Sequence, residues 1–333
     1  MHTFKAFVVR EKEGGGMTRS IESKSMHDLP NGEVTIQVAF SSLNYKDALS
    51  ASGNRGVTRQ YPHTPGIDAS GVVVESAVPQ FKIGDQVLVT SYDLGMNTPG
   101  GFSEYIRVPA AWVIPIPPGL TLRSAMHYGT AGLTAAMCFD RLMQVGVLPN
   151  AGPVVVTGAT GGVGTMAVAL GKKLGYTIHA ITGKPTSVDF LRELGATEVW
   201  SRSDWETSSP KPLLKPLLAG VIDTVGGTIL SNLVKSIQPN GAAALCGLVA
   251  SPQLDLTVFP FILRGIALLG VDSAEADHNW RQSIWEKLGG NWAISSVESF
   301  CRHVLLDDLS PEIDLILKGE QTGRIVVAVN PDL

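Results

Sequence analysis

Cysteine is scarce in this sequence, and the few cysteines are far apart. Cys138, Cys246 and Cys301 are the three among 333 residues. Disulfide-rich secreted domains and structural zinc sites both need clustered or regularly spaced cysteines. The sequence therefore predicts neither a disulfide framework nor a structural zinc site, and this usage is typical of a protein in the reducing cytoplasm.

Charged residues and long apolar runs are also limited. Asp, Glu, Lys and Arg make up 17% of the chain, and the formal net charge is −4 at pH 7. Nucleic acids and anionic membrane surfaces bind clustered Lys and Arg, which this chain lacks. No stretch approaches the roughly 18 consecutive apolar residues of a membrane span, and the first residues predict no secretory signal. We therefore expect neither a nucleic acid nor a membrane as a partner.

The chain does contain a change of pattern about one third of the way along. Residues 1–125 consist of short β runs broken by turn residues, which is typical of a compact, mostly antiparallel domain. Residues 126–269 alternate strands with helices, which predicts β-α-β units in a doubly wound parallel sheet. We expect residues 270–333 to return to the first domain through the strand "GRIVVAV". The proline-rich stretch Pro109–Leu120 is interpreted as a linker or hinge region.

A glycine cluster lies between a predicted buried strand and a helix in the second domain. The stretch "VVVTGATGGVG", from Val154 to Gly164, has the spacing Gly158-x-x-Gly161-x-x-Gly164. Glycines let backbone N–H groups approach a pyrophosphate, and the following helix N-terminus favours negative charge. The spacing is looser than G-x-G-x-x-G, so by itself it also fits a structural turn. Its position between strand and helix favours a dinucleotide site.

The end of the next predicted strand indicates which dinucleotide binds. An acidic residue at this position would bind the ribose 2′-OH of NAD. This chain has Thr182, Gly183 and Lys184 instead, and small donors with a cation suit a 2′-phosphate. The alternative for Lys184 is an ordinary exposed loop lysine. We therefore expect NADPH as the cofactor.

Other catalytic signatures are missing. The sequence has neither the G-x-x-x-x-G-K of a P-loop nor the G-x-S-x-G of an α/β-hydrolase. None of the six tyrosines is followed four residues later by lysine, which excludes the Tyr-Lys pair of short-chain dehydrogenases. The nucleotide site therefore belongs to a different class of protein.

Several motifs, taken together, resemble one known family. They extend from residue 41 to Asn330 and read "SSLNYKDALS", "PGIDASGVV", "GTAGLTAAMC", "VVVTGATGGVGTMAVALGKKLGY", "GVIDTVGG", "PFILRGIALLGVDS" and "GRIVVAVN". They are similar to motifs of the acryloyl-CoA reductase and quinone oxidoreductase family, in the medium-chain dehydrogenase/reductase superfamily. The resemblance implies a GroES-like, mostly antiparallel β domain, a Rossmann domain with a doubly wound parallel sheet, and a homodimer.

The same motifs are similar to those of the zinc-free members. Zinc-dependent relatives carry a Cys where this sequence has "NYKD", and Gly-His-Glu where it has Gly66-Ile67-Asp68. The seven histidines show no ligand spacing. A catalytic zinc needs converging Cys, His or carboxylate ligands, so we expect no metal.

The expected activity is reduction of an activated C=C bond. Without a Lewis acid, hydride addition to a conjugated alkene needs only stabilisation of the enolate oxygen and a later proton. The resemblance implies that NADPH delivers hydride to the β-carbon of an enoyl thioester such as acryloyl-CoA, giving propionyl-CoA. Two alternatives stay open: a broad quinone and enone reductase, and a non-catalytic NADPH-binding sensor. An alcohol dehydrogenase is disfavoured because its zinc ligands are missing.

The motif "LNYKD" supplies the residues expected near the reacting bond. The resemblance implies that Tyr45 lies against the cofactor, where its phenol could donate a hydrogen bond or a proton. Structural packing is the alternative, because buried tyrosines usually have a structural partner. Asn44 and Asp47 are interpreted as positioning groups, and both residue types also cap helices.

The resemblance assigns further contacts to matching positions. The pyrophosphate contacts are Thr160, Gly161, Gly162 and Val163, and the 2′-phosphate contacts are Thr182, Gly183 and Lys184. The contacts along the nicotinamide half are Leu248, Ile262, Ser273 and Asn330.

Basic side chains are expected to bind the 2′-phosphate of the cofactor and an anionic group of CoA or of the cofactor. Relatives commonly have Ser-Gly-Arg in place of Thr182-Gly183-Lys184, and lysine lacks the forked contact of arginine, so the NADPH preference is expected to be weaker. Arg264 and Arg324 are candidates for binding an anionic CoA or the cofactor. Surface ion pairing is their alternative role.

Overall fold

The computed structural model of the protein describes residues 3–333, which divide into two compact units. Unit 1 contains the described residues up to Thr130 with Ala274–Gly290 and Ser295–Leu333, and unit 2 contains Ala131–Ser273 and Asn291–Ile294. The predicted boundaries after residues 125 and 269 lie a few residues before these divisions. No helix in the described part of the chain is long and apolar enough to cross a membrane.

Unit 1 begins with a two-stranded antiparallel sheet and continues into a larger sheet. Its first elements are β1 (Thr3–Glu11), β2 (Met17–Ser25), β3 (Val34–Ser42), α1 (Tyr45–Ala51), β4 (Asp68–Ser76), β5 (Gln86–Thr90), β6 (Tyr105–Val108), β7 (Ile114–Pro115) and α2 (Leu122–Gln144). Val34, Ile36 and Val38 of β3 lie on one face because side chains alternate along a strand. They form a buried cluster with Val87 and Val89 of β5.

The helix α2 starts in unit 1 and ends in unit 2. Its path is broken at Gly129, which has φ 50° and ψ −156°. A side chain on Gly129 would collide with the Ser42 hydroxyl and the Asp68 carboxylate. Glycine is therefore required here, both for the backbone conformation and for the close approach.

Unit 2 is built on a six-stranded parallel sheet. Its elements are β8 (Val154–Val156), α3 (Gly162–Lys173), β9 (Ile178–Thr182), α4 (Val188–Leu194), β10 (Glu198–Ser201), β11 (Leu218–Asp223), α5 (Gly227–Lys235), β12 (Ile237–Leu245), α6 (Phe259–Arg264) and β13 (Ala267–Gly270). The strand order is β10-β9-β8-β11-β12-β13, that of a doubly wound dinucleotide-binding sheet. The predicted alternation of strands and helices and the doubly wound parallel sheet are confirmed.

The end of the chain completes unit 1. The returning elements are α7 (His278–Gly289), β14 (Cys301–Leu305), α8 (Leu309–Leu317) and β15 (Arg324–Ala328). β15 pairs antiparallel with β3, which confirms the predicted return of the last strand, and β14 pairs parallel with β15. The large sheet therefore has the order β14-β15-β3-β4-β5-β7, with β6 also paired to β3.

The proline-rich stretch Pro109–Leu120 belongs to unit 1, so its interpretation as a linker is wrong. Val113 and Ile114 are almost fully buried, and Ile114 lies opposite Leu88 of β5. The prolines are tolerated because β7 is a two-residue strand at the sheet edge, where a missing N–H interrupts no ladder.

Candidate active site

The glycine cluster forms the turn between β8 and α3. Gly158 has φ 58°, a left-handed conformation that glycine adopts without strain. α3 begins at Gly162, and the carbonyl of Gly161 accepts the N–H of Thr165 at 2.8 Å. The first N–H groups of a helix have no carbonyl partner within it, so those of Gly162 and Val163 are placed to bind an anion. The turn fits the pyrophosphate of a dinucleotide.

A buried aspartate ties the neighbouring strand ends together. Oδ1 of Asp223, at the end of β11, accepts the hydroxyl of Thr157 at 2.7 Å, and its Oδ2 accepts the N–H of Gly226 at 2.7 Å. Burial raises the pKa of Asp223. This contact fixes the carboxyl ends of β8 and β11, where the strand order reverses and where such sheets bind ligands. The sequence reasoning gave Asp223 no role.

The predicted 2′-phosphate residues lie at the end of β9. Thr182 is buried, and its hydroxyl accepts the N–H of Lys184 at 3.0 Å. A Cβ added to Gly183 would meet the guanidinium carbon of Arg202 at 3.2 Å, so this arginine lies directly beside the turn. Arg202 Nε also pairs with Glu206 Oε1 at 2.9 Å. The sequence reasoning missed Arg202 because it follows the next strand, β10, and reaches the turn only through the parallel sheet.

Tyr45 is the first residue of α1, and its side chain is 47% exposed. Asp47, by contrast, is fully buried and binds backbone groups. Its Oδ2 accepts the N–H of Asn44 at 2.8 Å, and its Oδ1 accepts those of Gly66 and Ile67 at 3.1 and 2.8 Å. Burial is the main cause that raises the pKa of Asp47 to about 7, against the lowering effect of these three donors. Asp47 therefore fixes the start of the helix that carries Tyr45.

A buried network around Asp68 and Arg324 supports Asn44. Asp68 Oδ2 accepts the Ser42 hydroxyl at 2.5 Å and Asn44 Nδ2 at 2.7 Å. Thr130 donates its N–H to Oδ2 at 2.9 Å and its hydroxyl to Oδ1 at 2.5 Å. Arg324 donates to Ser42 Oγ at 2.8 Å and to Asn44 Oδ1 at 3.2 Å. The network joins four elements of unit 1 beneath the Asn44–Asp47 segment.

These residues do not fit the catalytic zinc of alcohol dehydrogenases. Ile67, at the position of a ligand histidine, is buried and has no donor atom. In the "NYKD" segment, the Asn44 amide nitrogen donates to the Ser42 carbonyl and to Asp68. The Asp68 carboxylate is itself occupied by its protein donors. The described residues at these positions therefore do not supply a tetrahedral ligand set.

Arg324 and Arg264 both bind groups of the protein itself, and for the buried Arg324 this contradicts its predicted role as a substrate or cofactor contact. Arg324 is 1% exposed. Arg264 is held by the backbone carbonyls of three residues, at 2.9, 2.8 and 2.6 Å from Lys235, Ile237 and Leu214. These contacts use three of the five N–H donors of Arg264, so its predicted role stays a prediction. Surface ion pairing, the alternative, is wrong for Arg324 because its guanidinium is buried.

The four residues predicted along the nicotinamide half have different environments. Leu248 and Ile262 of unit 2 are 63% and 72% exposed. The hydroxyls of Ser273 and Thr134 lie 2.6 Å apart within unit 2. Asn330, in unit 1, donates its amide to a β3 carbonyl at 2.8 Å. Their contact with a cofactor stays a prediction.

The two units define a class of protein. An antiparallel β unit, combined with a parallel sheet whose first helix begins at a glycine turn, is the arrangement of dehydrogenases and reductases that use a nicotinamide dinucleotide. Comparison with known families agrees. Residues 30–118 match the alcohol dehydrogenase GroES-like domain, and residues 162–288 match the family described as zinc-binding dehydrogenase.

Individual relatives narrow the class. Acrylyl-CoA reductase AcuI of Ruegeria pomeroyi is 40% identical, over 98% of this chain and 99% of its own. YhfP of Bacillus subtilis, provisionally named a quinone oxidoreductase, is 41% identical over 98% of this chain and 99% of its own. Its crystal structure with NAD bound has a TM-score of 0.95, over 99% of this chain and 100% of that one.

A third relative was solved with the phosphorylated cofactor. The yhdH oxidoreductase of Salmonella enterica in complex with NADP has 39% identity and a TM-score of 0.94, over 98% of this chain and 99% of that chain. This chain therefore belongs to the acrylyl-CoA reductase and quinone oxidoreductase family of the medium-chain dehydrogenase/reductase superfamily, and it is an oxidoreductase.

Proposed function

We propose that this protein uses NADPH to reduce an activated C=C bond, with acryloyl-CoA as substrate and propionyl-CoA as product. The observation that carries the proposal is the glycine turn at the head of α3, in a chain that aligns from end to end with an acrylyl-CoA reductase. The turn fits a dinucleotide, and the relative's name supplies the substrate class.

The reaction divides between the cofactor and the protein. When bound, NADPH would supply a hydride to the β-carbon of the enoyl thioester, and the α-carbon would then take up a proton. The exposed phenol of Tyr45 donates a hydrogen bond or this proton. Asn44 and Asp47 act as positioning groups, because their contacts hold the segment that carries Tyr45. The N–H groups of Gly162 and Val163, with Thr160, bind the pyrophosphate. Gly161 contributes close approach rather than its N–H, which donates to the carbonyl of Gly158 at 2.9 Å.

The preference for NADPH rests on two basic side chains. Lys184 follows the end of β9, and Arg202 lies beside Gly183. The guanidinium of Arg202 offers the forked, bidentate contact that a lysine cannot make with a phosphate. Arg202 therefore compensates for the lysine that stands where relatives commonly have arginine.

The homodimer is a further part of the proposal. β13 is an edge strand of the parallel sheet, and the neighbouring α6 exposes Phe259, Ile262 and Leu263 by 47, 72 and 61%. An exposed apolar patch next to an open strand edge is typical of a pairing surface. Sedimentation equilibrium should give twice the chain mass of 35.3 kDa; a mass of one chain at micromolar concentration would rule the dimer out.

The three free cysteines fit a cytoplasmic location.

A broad quinone and enone reductase is the second candidate, favoured by the likeness to YhfP. The deciding experiment follows NADPH oxidation by chelator-treated protein with acryloyl-CoA and with a simple quinone at matched concentrations. A much higher kcat/KM for acryloyl-CoA is the expected result. Equal or faster quinone turnover would move the assignment to the broad reductase, and no turnover of either substrate would refute the proposal.

A further inference from the structure

His127 is a buried histidine whose ring has no hydrogen-bond partner among the described residues. It lies in α2 before the break at Gly129, and it is 4% exposed. Both Nδ1 and Nε2 are buried without a partner. A buried polar atom without a hydrogen bond costs folding free energy, and in native proteins an ion or an ordered water commonly satisfies such an atom. The two ring nitrogens of His127 are therefore available to bind an ion or a water molecule.

Two other ligand-type side chains of unit 1 lie at the same place. Glu298 comes from the short helical turn Val297–Phe300, and His303 comes from β14. One ligand atom from each of His127, Glu298 and His303 lies within 4.8 Å of the other two. The two imidazole rings meet edge to face, with their centroids 5.3 Å apart. Glu298 and His303 are exposed, so the cluster is open to solvent on one side.

The composition of this cluster suits a transition metal. Two imidazoles and a carboxylate form a ligand set that zinc uses, with a fourth position left to water. Bonds of about 2.0–2.2 Å in tetrahedral geometry place ligand atoms about 3.4 Å apart, so closing the cluster needs movements on the order of 1 Å. Exposed side chains make such movements by small rotations.

The surrounding charges set a limit on the affinity. Arg123 and Arg324 lie close enough to act on His127, and both oppose a dication, whereas Glu298 favours one. The two arginines are held by other contacts: Arg123 lies over the ring of Phe40 at 5.2 Å, and Arg324 is bound in the Asp68 network. With two nitrogen donors out of three, the cluster favours zinc over the oxygen-seeking Mg²⁺ and Ca²⁺.

We propose that His127, Glu298 and His303 form a zinc-binding site in unit 1. Its residues differ from those at the alcohol dehydrogenase zinc positions, and a metal held here would contradict the expectation from the sequence that the protein binds no metal. A metal held here would join α2 to β14 and to the turn Val297–Phe300, and would stabilise unit 1. The inference does not depend on the proposed reaction.

The test measures binding of Zn²⁺ alone to the chelator-treated full chain. Equilibrium dialysis with metal analysis should give one Zn²⁺ per chain, and saturating Zn²⁺ should raise the Tm by several degrees. His303→Ala and Glu298→Gln change exposed positions, so both variants should fold, and each should weaken binding at least about tenfold and remove the Tm shift. His27→Ala, which removes an exposed histidine elsewhere in unit 1, is the matched control and should bind like the wild type.

Cobalt gives a second readout that reports the ligands themselves. Co²⁺ in a four-coordinate site has intense visible absorption bands, and these bands should appear with the wild type and disappear with His303→Ala. Two results would overturn the proposal: no saturable binding near one equivalent of Zn²⁺, or unchanged affinity in both His303→Ala and Glu298→Gln.

Discussion

Tyr45 differs from the residues beside it because its phenol is exposed, whereas Asn44 and Asp47 are buried in backbone and side-chain contacts. A proton donor must be accessible to the substrate, whereas a positioning group must be held in place by its contacts. The segment contains both kinds of residue within four positions. The proposed division of labour therefore follows from exposure, a quantity that the motif "NYKD" does not contain.

Replacing Tyr45 by phenylalanine should lower kcat by about 10²-fold or more, because positioned proton donors contribute about 10²–10⁴-fold. The affinity for NADPH should change little, since the aromatic ring is kept. Stopped-flow measurement of NADPH oxidation with acryloyl-CoA, together with cofactor titration, separates the two effects.

Tyr61→Phe is the matched control for this experiment. The Tyr61 hydroxyl donates to the carbonyl of Ser50 at 2.5 Å, so its loss should affect stability rather than turnover. If Tyr45→Phe keeps the wild-type kcat, the role of the phenol in proton delivery is wrong and Tyr45 is a packing residue.

Reversing the charge of Lys184 should weaken NADPH much more than NADH. A charge-assisted hydrogen bond contributes about 1.5–3 kcal/mol, which corresponds to about ten- to a hundredfold in Kd. Lys184→Glu and Arg202→Glu are each expected to show this selective loss in fluorescence titrations. Lys173→Glu, an exposed change at the end of α3, should leave the ratio of the two affinities unaltered. If the affinities for NADPH and NADH fell equally, Lys184 and Arg202 would not bind the 2′-phosphate.

At the scale of elements, the turn into α3 contains glycines with two separate purposes. A Cβ on Gly164 would collide with the carbonyl oxygen of Gly158, so this glycine allows the helix to approach the strand. A Cβ on Gly161 would meet that same oxygen at 3.3 Å, which a small shift can accommodate. Gly161 is thus left free for the approach of a phosphate.

Alanine substitutions should separate these purposes. Gly164→Ala should destabilise the protein by about 1–3 kcal/mol through overpacking, seen as a lower Tm without cofactor. Gly161→Ala should nearly keep that Tm but weaken NADPH at least about tenfold, because its methyl group crowds the pyrophosphate. The reverse pattern, with Gly161→Ala unstable and binding normally, would contradict the assignment.

The elements that the sequence did not reveal share a physical cause. β2 has no fully buried residue, and β14 has none either. Neither strand has the apolar pattern on which strand prediction depends. Each exists because a partner strand pairs with it, β1 in one case and β15 in the other. The strands β8 and β11, by contrast, are visible in the sequence because every one of their residues is buried, which imposes a continuous run of apolar or small residues.

For the molecule as a whole, titration of buried groups controls stability at acid pH. Burial lowers the pKa of four histidines, namely His63, His127, His179 and His303. An unfolded histidine takes up its proton near pH 6.5, whereas folded His127 does so only near pH 4. The unfolded chain therefore binds more protons in this window, and stability falls as the pH falls through it. Asp47, with its pKa raised to about 7, acts in the opposite direction.

A variant without the buried imidazole isolates its contribution. Between about pH 7.5 and about pH 5, the wild type should lose about 1–2 kcal/mol more of its unfolding free energy than His127→Phe. Urea unfolding of both proteins at the two pH values measures the difference. The charged and titratable groups around the ring, Arg123, Arg324, Glu298 and His303, are present in both proteins. A loss equal in the two would show that His127 is not held neutral.

The sequence by itself determined the fold class and the cofactor turn. Parallel strands buried on both faces need continuous apolar runs, and a phosphate turn needs glycines at fixed short spacing. Both features are therefore visible as patterns of residues adjacent in the sequence. Only the tertiary structure decided which side chains meet across the chain. Three groupings join residues that are far apart in the sequence: Arg202 lies beside Gly183, Arg324 donates a hydrogen bond to Ser42, and His127 lies near Glu298 and His303. Their burial and distance depend on how strands pair and elements pack, which no local pattern encodes.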